Sequence, residues 1–176
     1  MIWSKIKNKT GFTLMEMLLS LFIVSLISTL LLVNYRGGQE QKAVLSQAET
    51  LVNELRAAQN SALHGRETGG QVPYGYGLYF NTATSDSSYI IFADTNDNKT
   101  YDGGEATETI ALSERIYLQS TAPDPVSVFF QPPFAVFYVN GVSSVAQSAT
   151  INFRSARSGF TQTVLINNLG HGIYIQ

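Results

Sequence analysis

Glu16 is the only charged residue in a run of 22 residues, Phe12 to Val33, FTLMEMLLSLFIVSLISTLLLV. As a helix this run rises about 33 Å, enough for a hydrocarbon core of about 30 Å. A carboxylate at mid-membrane depth costs on the order of 2.5–3.5 kcal/mol, so a run that keeps one has a use for it. Lys5, Lys7 and Lys9 stand just before the run. By the positive-inside rule they keep the leader in the cytoplasm and send the rest of the chain outside the inner membrane.

A second group of charges lies in DTNDNKTYDGGE, Asp94 to Glu105. Aligned as a twelve-residue calcium loop, Asp94, Asn96, Asn98, Asp102 and Glu105 fall at the side-chain ligand positions, and Thr100 offers its carbonyl. A Ca²⁺ ion takes such oxygens at about 2.3–2.6 Å. Lys99 occupies the sixth position, where the sharp turn favours glycine, and the flanks read as strands rather than helices. The same residues also suit a polar hairpin connection.

Arg154 and Arg157 form a basic turn in FRSARSGF, expected between two strands. Such a turn can meet DNA phosphates through the guanidinium fork, or stand solvated beside nearby carboxylates. Removal of residues 1–11 leaves 8 basic against 13 acidic residues, a net charge of −5, which argues against DNA binding through bulk charge. The two histidines, His64 and His171, have no metal-ligand or catalytic spacing. There is no cysteine, hence no disulfide and no thiol chemistry, and no nucleophile or phosphate-binding motif. An enzyme is not expected.

The elements that must position these groups follow from periodicity. Between Gln39 and Leu63, Val44, Ala48, Leu51, Leu55, Ala58 and Ala62 recur in steps of four and three, one helical face for packing on a sheet. Gln41, Lys42, Gln47, Glu49, Asn53 and Arg56 fall largely off it. Gly37-Gly38 lies between the two helical segments, as a break at the membrane surface or a point where a long helix bends. From His64 to Pro73 the chain reads as loop. Beyond it, runs rich in Val, Ile, Phe, Tyr and Thr predict strands at 75–80, 88–93, 109–112, 126–130, 134–139, 149–154, 160–166 and 172–176. Asn140-Gly141 signals a hairpin, and Pro132-Pro133 a turn or sheet edge. The expected class is α+β, with a membrane-spanning helix at 12–36, its amphipathic continuation at 37–64 and a β domain at 65–176.

An ordinary secretory signal has a shorter apolar core and a small-residue cleavage site after it, a lipoprotein anchor needs a cysteine, and a plain signal anchor explains neither Gly11-Phe12 nor Glu16. The residues KTGFTLMEMLLSLFIVSLIS resemble the N-terminal signature of type IV prepilins and type II secretion pseudopilins. The resemblance covers about the first fifth of the chain. It implies a pilin-like fold, a leader peptide at 1–11 cleaved after Gly11 by a membrane-embedded prepilin peptidase, N-methylation of Phe12 as the new N-terminus, and a helix at 12–36 that serves as filament core after it has spanned the membrane. Glu16 becomes the fifth residue of the mature chain and pairs with the Phe12 ammonium of a neighbouring subunit, each neutralising the other in apolar surroundings. The C-terminal stretch ATINFRSARSGFTQTVLINNLGHGIYIQ looks like the closing strands of GspH/FimT-type minor pseudopilins. The implied protein is a structural minor subunit of a type II secretion pseudopilus or type IV pilus. Its implied partners are other pilin subunits, the peptidase, an inner-membrane assembly platform and the lipid bilayer. The alternative is a DNA-binding minor pilin of a DNA-uptake pilus. Calcium is the one cofactor the resemblance makes room for.

Overall fold

In a computed structural model the chain divides into two compact units, residues 1–38 and 39–176. The structure describes residues 11–144, 146–167 and 172–176, with backbone alone at 33–37. Lys5, Lys7, Lys9 and His171 lie outside the described residues. Helix α1 is assigned to Leu14–His64.

In the first unit, Thr13 caps α1: its hydroxyl accepts from the Glu16 amide at 3.2 Å, half of the Thr-x-x-Glu capping arrangement. The hydroxyls further along satisfy themselves. Ser20 donates to the Glu16 carbonyl at 2.7 Å and Thr29 to the Ser25 carbonyl at 2.9 Å, so neither needs water. Among the described residues, Leu14–Leu32 is long and apolar enough to cross a membrane, and none of it is buried within the structure.

The second unit begins with the remainder of α1 and continues into nine strands: β1 (Gly75–Phe80), β2 (Ser88–Asp94), β3 (Ala106–Ala111), β4 (Ile116–Ala122), β5 (Val126–Gln131), β6 (Val136–Val139), β7 (Ser148–Ser155), β8 (Thr161–Asn167) and β9 (Gly172–Ile175). All pairs are antiparallel, in a five-stranded sheet of order β3-β2-β1-β5-β6 and a four-stranded sheet of order β4-β7-β8-β9. The predicted helical stripe is buried at every position, and it shares one core with Leu78, Phe80, Tyr89, Val128, Ile151, Phe153 and Val164 from both sheets. The α+β expectation of a long N-terminal helix packed on antiparallel sheet therefore holds.

The outer face of the larger sheet carries a second apolar cluster. Period-2 alternation turns Phe92 and Phe129 away from the helix, yet both are fully buried. Gly75 and Gly77 make room for them: a Cβ on Gly77 would lie 2.5 Å from the Val128 carbonyl oxygen and 2.6 Å from the Phe92 ring. Tyr101, from the Asp94–Glu105 segment, closes the cluster. Its ring centroid lies 4.7 Å from that of Tyr79 and 5.7 Å from that of Phe92, and its amide donates to the Ser127 hydroxyl at 3.2 Å.

Several boundaries differ from the sequence pattern. The strand β4 has no counterpart among the predicted runs; a register shift between Leu118 and Ser120 breaks its alternation. The edge strand β3 begins at Ala106 rather than Thr109, because Ala93 donates to the Glu105 carbonyl and pairing starts there. Phe134 belongs to a turn rather than to β6, since Ala135 follows at φ 50°. Gln47, placed off the helical stripe, is 8 % exposed, and its amide oxygen accepts from the Ser113 hydroxyl at 3.4 Å. Asn140 and Gly141 both take positive φ, 49° and 75°, as a tight hairpin turn between Val139 and Val142 requires.

Candidate functional site

The Gly11–Phe12 peptide bond precedes the first turn of α1. Nothing lies within 4 Å of a Cβ built on Gly11, and Phe12 is 76 % exposed. Among the described residues no helix or strand encloses the bond, and Phe12 is open to solvent. Hydrolysis there would create an ammonium at Phe12, just before the helix N-terminus. The unsatisfied amides of that first turn carry partial positive charge, which disfavours a cation and favours a carboxylate. Glu16 lies in the same turn and is exposed. One turn of helix thus brings the new ammonium and the carboxylate that can neutralise it to the same end of an otherwise apolar element.

The acidic segment closes on its own amides. Asp94, fully buried, accepts from the amides of Asn96 at 3.0 Å, Asp97 at 2.7 Å and Lys99 at 2.8 Å. Glu105 accepts from the Thr95 amide at 2.9 Å, the Thr95 hydroxyl at 3.0 Å and the Asp102 amide at 3.1 Å. Asp102 accepts from the side-chain amides of Asn96 at 2.8 Å and Asn98 at 2.6 Å. Thr100 donates through its amide and hydroxyl to the Asn98 side-chain oxygen. Asp97 and Lys99 take φ 63° and 64° to make the wrap. Lys99 keeps its ammonium outside, 3.0 Å from Asp97 Oδ1 and 5.8 Å from the Tyr138 ring centroid. The hydrogen bond to Asp97 is the main cause that raises its pKa. Among the described residues no group of three or more His, Asp or Glu side chains converges as a metal would require. The resulting object is a strap, hydrogen-bonded within itself and laid by Tyr101 across the aromatic face.

The two arginines part company. Arg154 is not in the turn but within β7, opposite Tyr117 on β4 and Thr161 on β8, and half-buried. Arg157 is in the turn, 4.0 Å from Glu40 Oε1, and Arg115 approaches the same oxygen to 3.8 Å. Glu40, its side chain 12 % exposed, also accepts from the Ser155 hydroxyl. Ser155 in turn accepts from the amides of Arg157 and Ser158 at 3.2 Å. This knot ties the first turn of the second unit's helix to the β7–β8 turn. It joins residues 115 positions apart, which no local pattern announces. His64 is exposed, and its Nδ1 lies 2.7 Å from the Asn60 carbonyl oxygen, a contact to one of the last carbonyls of α1.

No curated protein and no solved structure matches the chain. Residues 6–32 match the model of the prokaryotic N-terminal methylation motif, so the chain carries the type IV prepilin-like signal of pilin-like proteins that prepilin peptidase processes.

Proposed function

We propose that the chain is a structural minor pseudopilin or minor pilin, cut between Gly11 and Phe12, N-methylated at Phe12 and built into a filament through the helix that begins at Leu14. The spacing Gly11-Phe12 and then Glu16, ahead of an apolar stretch and inside the matched residues 6–32, carries this reading. The subunit waits in the inner membrane with residues 39–176 outside it. On assembly, Glu16 of an incoming subunit meets the Phe12 ammonium of its neighbour and sets axial register. The two charges offset each other's burial cost, so a subunit without the carboxylate inserts normally but packs badly. Glu16→Ala is expected to leave membrane insertion and processing intact and to deplete the protein from purified filaments. Undiminished incorporation of that variant rules out the pairing role.

A second proposal concerns the strap: a Ca²⁺ ion held by Asp94, Asn96, Asn98, the Thr100 carbonyl, Asp102 and Glu105. Lys99 supports it, because the sixth loop position takes the left-handed conformation for which calcium loops use glycine. Thermal melting of the full chain in detergent, in millimolar calcium and then with chelator, is the check. The proposal expects a higher midpoint with calcium, and an unchanged midpoint rejects it.

A further inference from the structure

Charge is segregated along the second unit. Arg115, in the turn before β4, and Arg157, in the β7–β8 turn, converge on one Glu40 oxygen at 3.8 Å and 4.0 Å. The backbone holds the two turns together, since the Ala156 amide donates to the Arg115 carbonyl at 2.9 Å. Both ion-pair distances exceed hydrogen-bond length, and among the described residues neither guanidinium donates a hydrogen bond. Both side chains are 65 % exposed. Arg154 reaches over the same turn, its guanidinium 3.4 Å from a Cβ built on Gly159, with neither ion pair nor hydrogen bond among the described residues. Lys42, Arg115, Arg154 and Arg157 set against Glu40 and Glu114 leave two positive charges in excess. The other end, where α1 reaches His64, has the opposite sign. Tyr76 donates to the Arg66 carbonyl there, and Gly75 pairs with Asp94, which brings the strap to that end. Glu67 and the strap's four carboxylates outnumber Arg66 and Lys99 by three. About 39 Å of helix, Gln39 to His64, separates the two ends.

The positive end is also the end at which the chain arrives from the apolar stretch. Eight residues lead from Leu32 to Glu40, about 12 Å as helix and at most about 28 Å fully extended. With Leu32 at the edge of the hydrocarbon, a headgroup layer about 5–7 Å deep takes up much of that distance. Electrostatic attraction to a charged surface falls off within a Debye length, about 8 Å at physiological salt, so a link this short makes it effective. A guanidinium fork takes phosphate oxygens two at a time, and two forks side by side suit one anionic headgroup.

We propose that Arg115 and Arg157, with Arg154 beside them, dock residues 39–176 on anionic phospholipid headgroups at the outer face of the membrane, through the headgroup phosphate. The proposal rests on the membrane-spanning reading given above. Glu40 tempers the site by one charge, and repulsion of the acidic far end favours one orientation of the domain. The test places the full chain in lipid nanodiscs that carry a trace of gadolinium-chelate lipid, in phosphatidylcholine alone or with phosphatidylglycerol added. Relaxation of the Ala156 to Ser158 amides then reports nearness to headgroups, which free phosphate does not mimic. Phosphatidylglycerol is expected to raise it about threefold, with no rise at Asp97 to Tyr101. Arg115→Gln with Arg157→Gln is expected to remove the rise. Glu40→Gln keeps an oxygen for the Ser155 hydroxyl but removes the offsetting charge. It is expected to enlarge the rise, the reverse of what a general weakening of the knot would give. Equal relaxation in the two lipids, an undiminished rise in the arginine double variant, or a smaller rise in Glu40→Gln overturns the proposal. A chain that enters the discs but relaxes equally in both lipids fails the docking alone. A chain that does not co-elute with the discs fails the membrane-spanning reading and the docking with it.

Discussion

The two stretches of α1 use their apolar residues in opposite ways. From Leu14 to Leu32, Glu16 and four hydroxyl residues apart, the side chains are apolar on every face and exposed within their unit. From Gln39 to His64 they are apolar along one stripe, and the stripe is spent on the sheets. Length and helicity alone do not separate these regions. What separates them is whether the fold consumes the hydrophobic surface. A stretch that leaves all of it unconsumed, as Leu14–Leu32 does, is long and apolar enough to cross a membrane.

The largest effect that could break this contrast is a pair of matched truncations. Leu55→Ala empties a fully buried site and is expected to cost about 2–5 kcal/mol of domain stability, whereas Leu21→Ala should leave the unfolding midpoint where it was. Chemical unfolding of both variants in detergent, followed by tyrosine fluorescence, reads this directly. Similar losses in both would erase the distinction. A smaller effect, opposite in sign at two glycines, sharpens it. Gly77→Ala drives a methyl into Val128 and Phe92 and should cost about 1–3 kcal/mol. Gly38→Ala meets nothing within 4 Å and should favour the helix by about 1 kcal/mol. Circular dichroism melts of the two variants give the signs, and a stabilising Gly77→Ala would contradict the tight packing of the outer aromatic face.

Much of this was legible because it is local. The stripe from Val44 to Ala62, the Asn140-Gly141 turn and most strands follow from period and turn chemistry within a few residues. The strand β4 escaped because Gln119 and Ser120 dilute it just where the register shift interrupts its alternation. Arg154 closes the predicted strand 149–154 and stays in it; only its grouping with Arg157 in one turn fails, because pairing on both sides of β7 carries that strand on to Ser155. Gln47 looked like a surface residue because the Ser113 hydroxyl that meets it is 66 positions away. The site divides the same way. Gly11, Phe12 and Glu16 are read from the resemblance of their short local stretch to the prepilin signature. The Glu40–Ser155 knot and the strap's hold on Phe92 come only from long-range packing.

Cleavage after Gly11 and methylation of Phe12 are read out by intact-mass and N-terminal peptide mass spectrometry of the protein purified from its native membranes. The expected chain starts at Phe12 and is one methyl group heavier than the cleaved sequence, with the methyl on the Phe12 nitrogen. A chain that retains residues 1–11, or one cut after residue 33 so that the apolar run is lost, would contradict it.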